Sequence, residues 1–189
     1  VDAHEQIPNA KQSAFGIYSG YSEPRFNSFI REAVYVPVRD GTRIAMDIFR
    51  PAIDGQLVQE PMPVALMVTR YWRASEMGDG SVESLMGTIE SGARGGLLLS
   101  PDEFEAPERA YLGHLLARHG YIVIAMDSRG TGASFGAQSL GSVLEIGDMA
   151  DVMDWIDQQV WSTGKVGMFG WSWPGLIQVF AAAGTPPQL

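Results

Sequence analysis

The stretch Lys165-Val166-Gly167-Met168-Phe169-Gly170-Trp171-Ser172-Trp173-Pro174-Gly175 decides how this chain folds. An apolar run of strand length stops at Gly170, a serine follows two residues later, and residues 176–183 suit a helix. Strand, tight turn with a central serine, then helix is the layout of a nucleophile elbow, whose sharp turn lifts the serine hydroxyl out of the sheet. Small residues flank such a turn because strand and helix approach closely, and Gly170 supplies one. The pattern departs from G-x-S-x-G, since Pro174 holds the last glycine position and Gly175 comes one later. Proline fits the first helical turn, where a missing N–H has no acceptor to lose. Read locally, the stretch is either the nucleophile turn of an α/β serine hydrolase or an ordinary turn between a buried strand and a helix.

Outward from that turn, the chain alternates strands with helices. Residues 32–49 alternate apolar and polar side chains about Asp40-Gly41, the pattern of a β-hairpin with one buried face. Pro63-Val64-Ala65-Leu66-Met67-Val68 and Tyr121-Ile122-Val123-Ile124-Ala125-Met126 are continuously apolar, as strands buried on both faces should be. Residues 108–119 carry Tyr111, Leu112, Leu115 and Leu116 on one helical face, and Gly120 ends that helix. Residues 148–159 place Met149, Val152, Met153 and Ile156 at helical spacing. Between them, residues 72–102 show little periodicity beyond a short helical stretch at 83–89, and a segment this long suits a lid or substrate-lining insertion. Residues 1–30 form a polar N-terminal extension whose aromatics are expected to pack on the surface of the body. The remainder, 31–189, forms the domain, a mostly parallel sheet with helices on both faces and an antiparallel start.

The composition narrows the partners. The chain has 189 residues and a formal net charge of −9, so it offers no basic face for nucleic acid. It has no cysteine, which removes disulfides, thiol nucleophiles and thiolate metal sites. No apolar run is long enough for a membrane helix, and no cofactor or metal is expected. The chain begins Val-Asp-Ala-His without Met, which leaves open a removed signal peptide and a secreted or periplasmic location. A homo-oligomer is equally open. A dinucleotide-binding reading of Gly130-x-Gly132-x-x-x-Gly136 has the wrong spacing, and no helix opens directly on it.

Three further runs act together with the serine turn. They are Asp127-x-Arg129-Gly130-x-Gly132-x-Ser134-x-Gly136, then Glu145-x-x-Asp148-x-x-Asp151-x-x-x-Trp155, then Gln159-Val160-Trp161-x-x-Gly164-x-Val166-Gly167 leading to Ser172. With Val36-x-Val38-x-Asp40-Gly41-x-x-Ile44 they resemble the X-Pro dipeptidyl-peptidase (S15) family, which also contains cocaine esterase and the α-amino acid ester hydrolases. The resemblance runs from about residue 32 to the end. It implies an α/β-hydrolase fold with Ser172 as nucleophile and two oxyanion donors: the backbone N–H of Trp173 and the hydroxyl of Tyr71. Trp173 stands where the family usually has Tyr, and Arg70 stands where it usually has Pro before Tyr71. The implied substrates are small esters, amides or peptides. Trp72, Trp171 and Trp173 suit an aromatic acyl pocket or, equally, the core.

Acyl transfer also needs a base and a group to orient it. The three histidines are His4, His114 and His119, and none sits where such a base is expected. In α/β hydrolases the acid and histidine follow the serine in chain order. The resemblance therefore implies a core left incomplete at the C-terminus, with Asp and His in a missing C-terminal part of the same protein. The isolated chain is expected to be inactive, and a non-catalytic binding domain is the alternative. Asp127 is expected to hold its own loop, pairing with Arg129. Asp148 and Asp151 are expected to face solvent or cap the helix start.

Overall fold

The computed structural model describes residues 22–70, 73, 111–138, 140–170, 172–184 and 187–189. The elements, in order, are β1 (Ser28–Pro37), β2 (Arg43–Ile53), β3 (Gln56–Leu57), β4 (Met62–Thr69), α1 (Tyr111–Arg118), β5 (Ile122–Asp127), α2 (Val143–Asp157), β6 (Ser162–Met168) and α3 (Trp173–Ala183). The strands form one six-stranded mixed sheet in the order β1-β2-β5-β4-β6, with β3 paired to the end of β2. β1, β2 and β5 pair antiparallel, whereas β5, β4 and β6 run parallel. No helix among the described residues is long and apolar enough to cross a membrane. Among the same residues no group of three acidic or histidine side chains is placed to hold a metal.

Helices cover both faces. Met149, Val152, Met153 and Ile156 of α2, with Trp173, Ile177 and Ala181 of α3, pack on Ile44, Met46, Leu66, Val68, Ile124 and Met126. Ala117 of α1 packs on the opposite face with Phe49, Ala65, Met67, Val123 and Ala125. The two continuously apolar runs became β4 and β5 because each of their faces meets a helix layer.

The hairpin forms about Asp40-Gly41 as expected, with Gly41 at φ 79°. Its second strand departs from the one-face pattern. Ala45, Asp47 and Phe49 are as buried as Ile44, Met46 and Ile48, because α1 covers the second face of this interior strand. The N-terminal stretch also goes deeper than surface packing. Phe26 enters the main core, and Phe29 meets Phe49 edge-on at 5.6 Å between ring centroids.

The helix expected at 148–159 begins earlier, at Val143. Ser142 lies in extended backbone and its hydroxyl accepts from the Glu145 N–H at 3.2 Å, while a Glu145 carboxylate oxygen accepts from Gly141 N–H at 2.8 Å. Ser142-x-x-Glu145 is a capping-box sequence that places the true start.

Residues 127–136 fasten the end of β5 to the hairpin. Ser134 Oγ donates to Asp127 O at 2.7 Å and accepts from Ala45 N–H at 2.9 Å. Arg129 is buried and donates from Nε to Asp148 at 2.7 Å and from Nη1 to Asp40 and Thr42 at 2.7 and 2.8 Å; its Nη2 reaches the other Asp148 oxygen. Asp148 therefore faces Arg129 and not solvent, and Asp151 closes a second pair with Arg39. Burial pushes the Asp148 carboxyl above its ordinary value even against the pull of Arg129, and the same pairing raises Arg129 itself. At the more exposed end, the hydrogen bonds from Arg129 and Thr42 hold Asp40 well below the usual carboxylate range.

Removing the cation alone leaves Asp148 charged in the interior, so Arg129→Met should lower unfolding stability by about 3–5 kcal/mol in urea titration. The Asp40 carboxyl is depressed relative to its unfolded value of 3.8. Its contribution is thus full above that value and lost as pH falls through and below it. Stability measured between about pH 5 and pH 2 should fall less steeply in Asp40→Asn than in the unmodified protein.

Candidate active site

β6 leaves the sheet beside β4, with Phe169 N–H still donating to Leu66 O at 3.1 Å. Gly170 then takes φ 137°, and a β-carbon there would lie 2.4 Å from the Pro174 Cβ. That close approach is why the position is glycine. Ser172 follows at φ 58° and ψ −126°, and is one of two non-glycine residues with positive φ among those described. Its carbonyl accepts from Gly175 and Leu176 N–H at 3.1 and 2.9 Å, which starts α3. Pro174 sits in the first turn of α3, where its missing N–H costs nothing.

Among the described residues two serines occupy helix N-cap positions, and they behave differently. Ser142, in extended backbone, caps with its hydroxyl. Ser172, in left-handed backbone, makes no side-chain cap hydrogen bond and is exposed. A cap serine is ordinarily extended and directs its oxygen at the N2 or N3 amide. The twist at Ser172 turns the hydroxyl away from that role, at a cost on the order of 1–3 kcal/mol that close packing around Gly170 and Pro174 must sustain.

Trp173 opens α3. Its N–H belongs to the helix terminus and has no intrahelical acceptor, so it is available to an anion at the positive end of the helix dipole. Its side chain is 8% exposed and belongs to the core, with Nε1 buried and lacking a hydrogen-bond partner. Arg70, the first residue after β4, places its guanidinium carbon 5.0 Å from the centre of the Trp173 ring. Tyr71, Trp72 and Trp171 lie outside the described residues, as does the insertion expected at 72–102.

The acids at this end of the sheet are engaged. Asp127 does not pair with Arg129. It accepts from Arg73 N–H at 2.6 Å, from Arg73 Nη1 at 2.9 Å and from Ala133 N–H at 3.0 Å. Asp47, fully buried, accepts from Arg31 at 2.9 Å and lies 3.3 Å from Arg73 Nε. Arg73 thus ties β2 to the end of β5, a link between positions 26 and 54 residues apart that periodicity does not reveal. Glu145 is buried 3% exposed, and that burial raises its carboxyl above the ordinary value, though the Gly141 N–H opposes the shift.

The glycine loop cannot hold a phosphate. A β-carbon on Gly132 would lie 2.2 Å from an Asp127 carboxylate oxygen, so an acid already fills the turn. That geometry excludes the dinucleotide reading. His119 pairs with Ser22 at 2.9 Å just before β5 begins, at the end of the parallel strands opposite Ser172. His4 and the His114 side chain are outside the described residues.

The chain is similar to known proteins over most of its length. The X-Pro dipeptidyl-peptidase (S15 family) profile matches residues 40–189. Cocaine esterase from Rhodococcus is 31% identical over 156 residues, covering 82% of this chain and 21% of that enzyme. A CocE/NonD family hydrolase from Staphylococcus aureus superposes with a TM-score of 0.62 at 26% identity, covering 85% of this chain and 26% of that one. An α-amino acid ester hydrolase shares the fold, at a TM-score of 0.56 and 22% identity. The chain thus has the α/β-hydrolase fold and spans about a fifth of the length of the curated relatives it matches.

If the turn geometry is held by glycine at 170, Gly170→Ala should destabilise the protein by about 1–3 kcal/mol. Gly167→Ala, whose added carbon meets nothing within 4 Å, is the control and should stay within about 0.5 kcal/mol. Urea unfolding of both variants checks the pair.

Proposed function

The chain belongs to the X-Pro dipeptidyl-peptidase (S15) family, and from that premise we propose that it carries the nucleophile of a serine hydrolase acting on ester or amide bonds. The observation that carries the reading is Ser172: exposed, at a helix N-cap in left-handed backbone, with a hydroxyl that does not cap. A merely structural turn gains nothing from that strain.

In the proposed reaction Ser172 Oγ attacks the scissile carbonyl carbon and its proton passes to a histidine. The carbonyl oxygen gains the negative charge and is met by the Trp173 N–H and the Tyr71 hydroxyl. Collapse expels the alcohol or amine, which takes the proton back from the histidine. Water then attacks the acyl-enzyme by the same route and releases the acid. One oxyanion donor of this kind contributes on the order of 10²–10³ in rate. Trp173 is suited to the role because α3 begins there and leaves its N–H without an internal acceptor.

The histidine and its orienting acid are proposed to come from a further C-terminal segment of the same protein. Two facts support this: His119 lies at the far end of the sheet, and Asp127 and Asp148 are engaged by arginines. Without that segment the 189-residue chain should not turn over substrate. The substrate is a small ester or peptide, and Trp173 contributes to the core more than to an acyl pocket wall.

A fluorophosphonate probe tests the assignment on the full-length protein. Labelling should map to Ser172 by peptide mass spectrometry and vanish in Ser172→Ala with the circular dichroism unchanged. A full-length protein that takes no label would instead make this an α/β-hydrolase-like binding domain.

A further inference from the structure

We infer that Arg70 is a specificity-determining residue of the Ser172 site, selecting substrates that carry a carboxylate close to the scissile carbonyl. The inference rests on Ser172 being the nucleophile.

The sheet order places Arg70 beside a topological switch point. From β4 the chain goes to β5 on one side, and from β5 it crosses back over β4 to β6 on the other. Connections that diverge in this way open a crevice outside the carboxyl ends of the strands, where open α/β sheets bind ligands. β4 ends at Thr69 and β6 at Met168, so Arg70 and the Ser172 turn flank that crevice from neighbouring strands.

The contacts of Arg70 differ from those of the arginines around it. Arg73 is engaged by Asp47 and Asp127, and Arg129 by Asp148 and Asp40. Arg70 is half-buried, and among the described residues its guanidinium has one recorded contact, the face of Trp173 at 5.0 Å. An acid whose field it shares, Glu145, is turned to the Gly141 N–H. A guanidinium held by an aromatic face keeps its N–H fork in its own plane, and that fork matches a carboxylate with two parallel hydrogen bonds. The indole that holds it belongs to the residue after Ser172, so the cation lies beside the turn that carries the nucleophile. A carboxylate on the acyl chain would occupy the fork while the carbonyl meets Ser172.

The test compares two esters on the full-length protein: 4-nitrophenyl hydrogen glutarate, which carries the carboxylate, and 4-nitrophenyl pentanoate, which does not. The unmodified protein should favour the glutarate in kcat/KM. Arg70→Gln should lower the glutarate-to-pentanoate ratio by about tenfold or more, chiefly through KM, since a charge-assisted hydrogen bond is lost. Arg70→Lys should retain part of the preference, because charge remains while the fork is gone. A ratio unchanged in Arg70→Gln, or an equal loss on both esters, overturns the inference and assigns Arg70 a structural role. Fluorophosphonate labelling separates the two readings. A protein that labels at Ser172 yet shows no glutarate preference overturns only Arg70's part, and one that neither labels nor turns over pentanoate overturns both.

Discussion

One buried cation, the Arg129 guanidinium, joins three parts of the chain that are far apart in sequence. It reaches Asp40 and Thr42 at the hairpin turn, belongs to the exit of β5, and grips Asp148 on α2. A buried ion pair is weak evidence for net stability, because desolvating two charges cancels most of their attraction. Its effect is on uniqueness. With Arg129 and Asp148 both out of water, any arrangement that separates them leaves an unpaired interior charge. The hairpin, the β5 exit and α2 therefore have one mutual position. The two acids show the balance: burial wins at Asp148, whose carboxyl is raised, and hydrogen bonding wins at exposed Asp40, whose carboxyl is lowered.

That constraint reaches the serine turn through α2. The helix is fixed at its first turns by the Ser142 cap and Asp148, and its apolar face seats Met149, Val152, Met153 and Ile156 on the sheet. It then delivers β6 beside β4, with Met62 opposite Ser162 and Leu66 opposite Met168. Only then does the chain meet the close approach of Gly170 to Pro174 that twists Ser172. Strain at Ser172 is held by neighbours that are themselves held, which is the condition for a sparsely populated backbone conformation to persist.

Features of short range were legible in the sequence. β4 and β5 read as buried strands because each is continuously apolar, and the hairpin read correctly because Asp40-Gly41 fixes its turn. The strand, turn and helix around Ser172 are legible as a pattern, including the proline, since their residues are adjacent. Features that depend on what covers an element were not. The second buried face of β2 depends on α1 and β5, so Asp47 looked like a solvent-facing alternate residue. Asp127 looked like a partner for Arg129 two residues on, but the loop turns the two side chains to different acids and bases. The start of α2 is marked by a local signal, Ser142-x-x-Glu145, that lies before the apolar period begins. The Tyr71 assignment came from resemblance, and that residue is outside the described set.

The charge pattern at this end of the sheet shows why Arg70 stands apart. Asp40, Asp47, Asp127 and Asp148 face Arg31, Arg73 and Arg129 in direct pairs. Arg70 shares the field of Glu145 and has no direct ion pair among the described residues. A field of that kind needs no particular orientation of the guanidinium and satisfies none of its N–H groups. The Trp173 face supplies the orientation. An arginine whose plane is held by an aromatic face and whose donors meet no acceptor among the described residues is arranged to receive an anion. In this fold the available anion is one that enters the crevice where β4 and β6 diverge.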